Sequence, residues 1–77
     1  MGEPRALVVD DEPLFRTQFT DLLRERGVAV DPVDSGEAAI GRVEESAYDV
    51  VFLDLLLPKM SGQVAHLQSL LLRTVLV

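Results

Sequence analysis

The chain has 77 residues, 48% of them hydrophobic, with 13 acidic against 7 basic side chains and a net charge of −6. That length allows one small domain, one that buries only about 60% of its unfolded surface, and the hydrophobic share excludes a disordered tail. The charge excludes sequence-independent nucleic-acid binding, because Arg5, Arg16, Arg24, Arg26, Arg42, Lys59 and Arg73 are scattered through a repulsive field.

Ala6-Leu7-Val8-Val9 is a continuous apolar run that stops at Asp10-Asp11-Glu12. Without polar alternation it reads as a strand buried on both faces. Pro13 suits the first turn of a helix, where a missing N–H costs nothing, and the acids before it favour the positive helix end. Phe15, Phe19, Leu22 and Leu23 then form one apolar stripe. Arg24 and Arg26 fall in the last turn, and Gly27 supplies a left-handed cap. The run from Val28 to Val33 is a weaker strand whose Pro32 places it at a sheet edge. Ser35 caps a second helix, with Glu37 in its first turn and Ala39, Ile40, Val43 and Ala47 as its inner face.

Val50-Val51-Phe52-Leu53 is a second wholly apolar strand, and it too stops at an acid, Asp54. Residues 55–62, with Pro58 and Gly62, read as a loop. Val64, Leu67 and Leu71 mark a last helix, and Thr74 to Val77 can begin a fourth strand. Alternation of strand and helix predicts an α/β fold, a three-layer doubly wound parallel sheet.

No cysteine is present, so disulfides and thiolate metal sites are excluded, as suits a reducing cytoplasm. The first residues lack the apolar core of a secretory signal. Gly2 invites myristoylation, but Ala6 stands where that motif needs Ser or Thr. Val64 to Val77 is too short to span a bilayer and is broken by His66, Gln68, Ser69 and Arg73. A cytoplasmic protein without membrane contact is expected.

The chemistry concentrates where the two most apolar strands end. Ligands of open parallel sheets bind beyond the carboxyl ends of strands, where strand order reverses. If those strands are neighbours, Asp10, Asp11 and Asp54 meet in one cleft. Three carboxylates that close repel one another, and a hard divalent cation such as Mg²⁺ resolves the conflict. The competing reading of Asp11 or Glu12 is a helix cap and nothing more.

Leu7-Val8-Val9-Asp10-Asp11-Glu12-Pro13 resembles the first strand and acidic pair of response-regulator receiver domains, the CheY-like domains of two-component signalling. Ser35-Gly36-Glu37-Ala38-Ala39 resembles the start of their second helix, and residues 50–62, with Pro58 and Gly62 after Asp54, their phosphoacceptor strand and loop. The resemblance covers about residues 5–62 and implies that Asp54 accepts a phosphoryl group. It also implies that Asp11 binds Mg²⁺ directly, Asp10 binds it mainly through water, and the backbone carbonyl of Leu56 supplies another ligand. The implied partner is a sensor histidine kinase or a phosphotransfer protein, and the domain itself is not an enzyme.

The family pattern continues with a Ser or Thr ending the fourth strand and a Lys ending the fifth. Thr74 precedes its apolar run instead of ending it, and Lys59 lies in the loop after Asp54, a solvated cation. Gln63 stands where the family usually has an apolar residue, and His66 reads as an exposed helix residue. Residues 63–77 are thus expected to be a divergent tail, and the resemblance implies that residues 1–77 are the front of one receiver domain, incomplete at its C-terminus. A fragment, a truncation and a frameshift all fit.

The implied strand order, 2-1-3-4-5, then leaves the third strand at or near an edge, inviting self-association. Two other functions stay open. One is a phosphorylation-incompetent receiver acting as a protein-interaction module. The other, an aspartyl phosphohydrolase, expects a second Asp two residues after the first, where Leu56 stands.

Overall fold

The computed structural model describes residues 2–53, 66 and 75–76. Its elements are β1 (Arg5–Val9), α1 (Pro13–Glu25), β2 (Ala29–Val33), α2 (Gly36–Glu45), β3 (Val50–Leu53) and β4 (Val75–Leu76). All strand pairs are parallel, in the order β2-β1-β3-β4. The expected α/β doubly wound sheet is what forms. No helix among the described residues is long and apolar enough to cross a membrane.

Local chemistry sets the helix ends. Pro13 opens α1, and Glu12 Oε1 accepts the Leu14 N–H at 2.9 Å. At the other end Gly27 adopts φ +85°, which lets the Gly27 N–H reach the Arg24 carbonyl and the Val28 N–H that of Leu23. These two bonds satisfy carbonyls that a helix end otherwise leaves unpaired. Ser35 caps α2 as expected, its Oγ accepting the Ala38 N–H at 3.1 Å.

Alternation along the strands splits the core into two layers. Leu7, Val9, Val33, Val51 and Leu53 pack with Ala39 of α2 and with Tyr48. Ala6, Val8 and Val30 face the other way, against Phe19 and Leu23 of α1. Phe52 joins that second layer edge-on to Phe19, with ring centroids 4.9 Å apart.

The inner face of α1 is not the expected stripe. Phe15 and Leu22 are 53% and 45% exposed, whereas Phe19 and Leu23 pack inward and Thr20 is buried. At about 100° per residue, the buried arc runs through residues 16, 19, 20 and 23. An arginine and a threonine occupy two of those places, so apolarity alone pointed one flank away from the contact. In α2, Ala39, Ile40 and Val43 face the core as expected, but Ala47 lies beyond the helix and is exposed.

β3 lies next to the sheet edge, within the expectation that it stands at or near one. β4 pairs with β3 at Val50↔Val75 and Val51↔Leu76, so the first half of β3 is covered. On the other side, β2 is the edge that Pro32 implied. The Ala29 N–H donates to Pro4 and the Val33 carbonyl accepts from Asp10, which points residues 29, 31 and 33 toward β1. Residues 30 and 32 therefore face outward. Proline removes the donor at one of these positions, and Arg24 Nη2 takes the Val30 carbonyl at 2.9 Å at the other. Two groups that a foreign strand would use are thus already closed.

At the N-terminal ends of the strands, three segments are tied together. Tyr48 donates its O–H to Asp31 Oδ2 at 2.6 Å, and Arg5 stands 5.2 Å above the tyrosine ring. Arg5 and Asp49 meet through two further bonds: the Arg5 N–H donates to Asp49 Oδ2 at 2.7 Å, and the Asp49 N–H donates to the Arg5 carbonyl at 2.8 Å. Burial, and then the bond to Asp31, push the Tyr48 hydroxyl from 10.0 up to about 12. A phenol with a raised folded-state pKa stabilises the fold fully below the unfolded value and loses that contribution as pH rises through the folded one. Two pKa units correspond to roughly 2–3 kcal/mol. Chemical denaturation at successive pH values is expected to show this loss between pH 10 and 12, with a shallower decline for Tyr48→Phe. Parallel pH profiles for the two proteins would refute the assignment.

Candidate functional site

β1 and β3 lie side by side, and their register closes with Val9↔Leu53. Each of those residues immediately precedes an acid, Asp10 and Asp54. From β1 the chain passes to β2 on one side and then returns to β3 on the other. The β1–β3 boundary is therefore the point where strand order reverses, the place where open α/β sheets bind ligands. The neighbour relation that the sequence reading required is present.

Asp10 is 5% exposed, and the chain grips it at three points. Its N–H donates to the Val33 carbonyl at 3.1 Å, extending the β1–β2 ladder by one rung. Its own carbonyl accepts Arg16 Nη1 at 2.7 Å, and its Oδ1 accepts the Glu12 N–H at 2.9 Å. Asp11 is exposed at the same strand end. Glu12, not Asp11, is the helix cap. Asp54 and Leu56, the other expected site residues, lie outside the described residues, as does Lys59. His66 is helical and exposed.

A cleft of about 560 Å³ opens at this end. Val8, Val9, Phe15, Phe19, Phe52 and Leu53 line it, and Asp10 and Glu12 are its polar members. The electrostatics are one-sided. An ion pair joins Arg5, at the start of β1, to Asp31, in the middle of β2, away from the acid end. Arg16 touches a carbonyl at the acid end, not a carboxylate. A buried carboxylate flanked by two more acids is costly unless a cation shares it. The oxygen-only donors suit a hard divalent ion. Among the described residues no group of three potential ligands converges; Asp10 and Asp11 are the aspartates that follow β1.

Arg16 is the residue that sequence reasoning passed over. Its signal was position: a cation one turn into the helix that follows an acidic pair, on the arc that turns inward.

An open parallel sheet with helices on both faces and acids at its switch point is a doubly wound α/β domain. The profile of the response regulator receiver domain matches residues 6–71. The chain belongs to that family, the signalling receivers of two-component systems. It is 39% identical over 62 residues to the sensor protein GacS of Pseudomonas syringae pv. syringae, covering 80% of this chain and 7% of that protein. The CheY-like receiver domain from Methylobacillus flagellatus superposes with a TM-score of 0.84 at 35% identity, over 96% of this chain and 65% of that one. TrrA of Thermotoga maritima, solved with Mg²⁺ and BeF, superposes with a TM-score of 0.76 at 35% identity, over 86% of this chain and 59% of that one. TrrA has also been solved in complex with the histidine kinase ThkA.

Proposed function

We propose that this receiver accepts a phosphoryl group on Asp54, from a histidine kinase or phosphotransfer protein in the cytoplasm, with Mg²⁺ as cofactor. The observation that carries the reading is the Val9↔Leu53 register, which ends two buried strands together, each directly before an aspartate. The Mg²⁺ and the kinase seen with TrrA support it by likeness.

In this reading Asp10, Asp11, Asp54 and the Leu56 carbonyl hold the ion, with Asp10 acting mainly through water. An ion held there would supply neutralisation of charge on the transferred group. A carboxylate oxygen of Asp54 attacks the phosphorus of a phosphohistidine. The new P–O bond forms as the P–N bond breaks, and the departing imidazole nitrogen keeps the electron pair and takes up a proton. The chain's own task is to hold the acids in place. Leu14 and Phe15, 65% and 53% exposed in the first turn of α1, supply an apolar rim beside the acids, the kind of surface a partner covers.

The test is incubation with a small acyl phosphate and Mg²⁺, followed by mass spectrometry. The expected result is a gain of one phosphoryl group, absent in Asp54→Asn and absent without the metal. An unmodified parent chain under these conditions would leave a phosphorylation-incompetent interaction module as the better description.

A further inference from the structure

We infer that Arg16 is a positioning residue for the metal site, acting through the backbone of Asp10 and not through its own charge. The inference rests on the reading of the acid end given above.

Arg16 lies on the buried arc of α1, and its guanidinium crosses back to the residue that ends β1, donating Nη1 to the Asp10 carbonyl at 2.7 Å. A bond with a charged donor is shorter and stronger than a neutral one. It acts where Asp10 would otherwise be held on one side. The ladder to Val33 fixes the N–H of Asp10, and the Glu12 N–H fixes Oδ1, but nothing else among the described residues holds its carbonyl. With all three handles held, Oδ1 faces the α1 turn. Oδ2, to which no hydrogen bond forms among the described residues, remains for a water of the metal's hydration shell. Groups that orient a ligand in this way typically change metal affinity by tenfold or more when lost.

The charge of Arg16 pulls the other way. A guanidinium six residues from Asp10, at the same end of the sheet, repels a divalent cation. Position and charge therefore predict opposite signs for the same substitution. If Arg16 serves by position, its removal weakens Mg²⁺ binding; if it is only a nearby cation, removal strengthens it.

Calorimetric Mg²⁺ titration of the full chain, of Arg16→Met and of Arg16→Lys, at a temperature where circular dichroism shows each folded, separates these. Methionine keeps the aliphatic bulk, while lysine keeps the charge and one donor. The expected result is a Kd raised about tenfold in Arg16→Met and largely restored in Arg16→Lys. Equal or tighter binding by Arg16→Met overturns the inference and leaves the site reading intact. Absence of Mg²⁺ binding by the unsubstituted chain overturns both. A merely structural arginine would lower the melting temperature of Arg16→Met without moving its Kd, and that result also overturns the inference.

Discussion

Leu7→Ala is expected to cost about 2–5 kcal/mol of folding free energy, the range for emptying a buried leucine site. Leu7 is fully buried in the middle of the central strand, packed in the α2-side core beside Val51. For 77 residues, total stability is on the order of 4–12 kcal/mol. A loss at the top of that range would bring a protein at the bottom of the stability range to its unfolding midpoint. The informative partner is Leu22→Ala, in the residue that apolarity alone assigned to the core but that is 45% exposed. Its cost is expected to be within about 1 kcal/mol, as for other surface changes. Urea denaturation of both measures the contrast. Equal losses would mean that α1 sits in another rotation from the one described.

Asp10→Asn separates the two readings of the acidic turn. An amide oxygen in place of Oδ1 can still accept the Glu12 N–H, so the turn into α1 survives and stability is expected to change by less than about 1 kcal/mol. What disappears is a negative charge beside the metal site. Mg²⁺ affinity is expected to fall by about 10–100-fold, the range for groups that act just outside the direct ligands. Affinity unchanged in a folded Asp10→Asn would reduce this carboxylate to a helix-turn device. Calorimetry beside a thermal melt reads both quantities from one preparation.

Most of the architecture was legible because each element carried redundant signals. β1 showed an unbroken apolar run with an abrupt acidic end, and Gly27 and Ser35 sat where helix ends need their particular chemistry. Pro32 marked the edge strand correctly, and the ladder shows why: it occupies an outward-facing position where no donor is required. The rotation of α1 was hidden because the buried arc includes Arg16 and Thr20, and a polarity pattern cannot see an arginine that turns inward to bind a carbonyl. Tyr48 was likewise missed. It lies outside both regular elements, in the turn before β3, and its burial depends on Asp31 and Arg5 from strands that only the fold brings near. Of the candidate site, the sequence placed Asp10 and Asp11 at the end of a buried strand, and the fold puts them there. The β3 half depends on Asp54, which the abrupt end of an apolar strand marked, and on Leu56, which the resemblance supplied; both lie outside the described residues.

The most direct test of the shared metal site is a Mg²⁺ titration of the ¹⁵N-labelled chain followed by NMR. One saturable process is expected, shifting the amides of residues 10, 11, 54 and 56 with a common Kd, and Asp54→Asn is expected to weaken the response at residues 10 and 11. Responses at the two strand ends with separate affinities, or shifts around residues 10–12 that Asp54→Asn leaves unaltered, would contradict a common site.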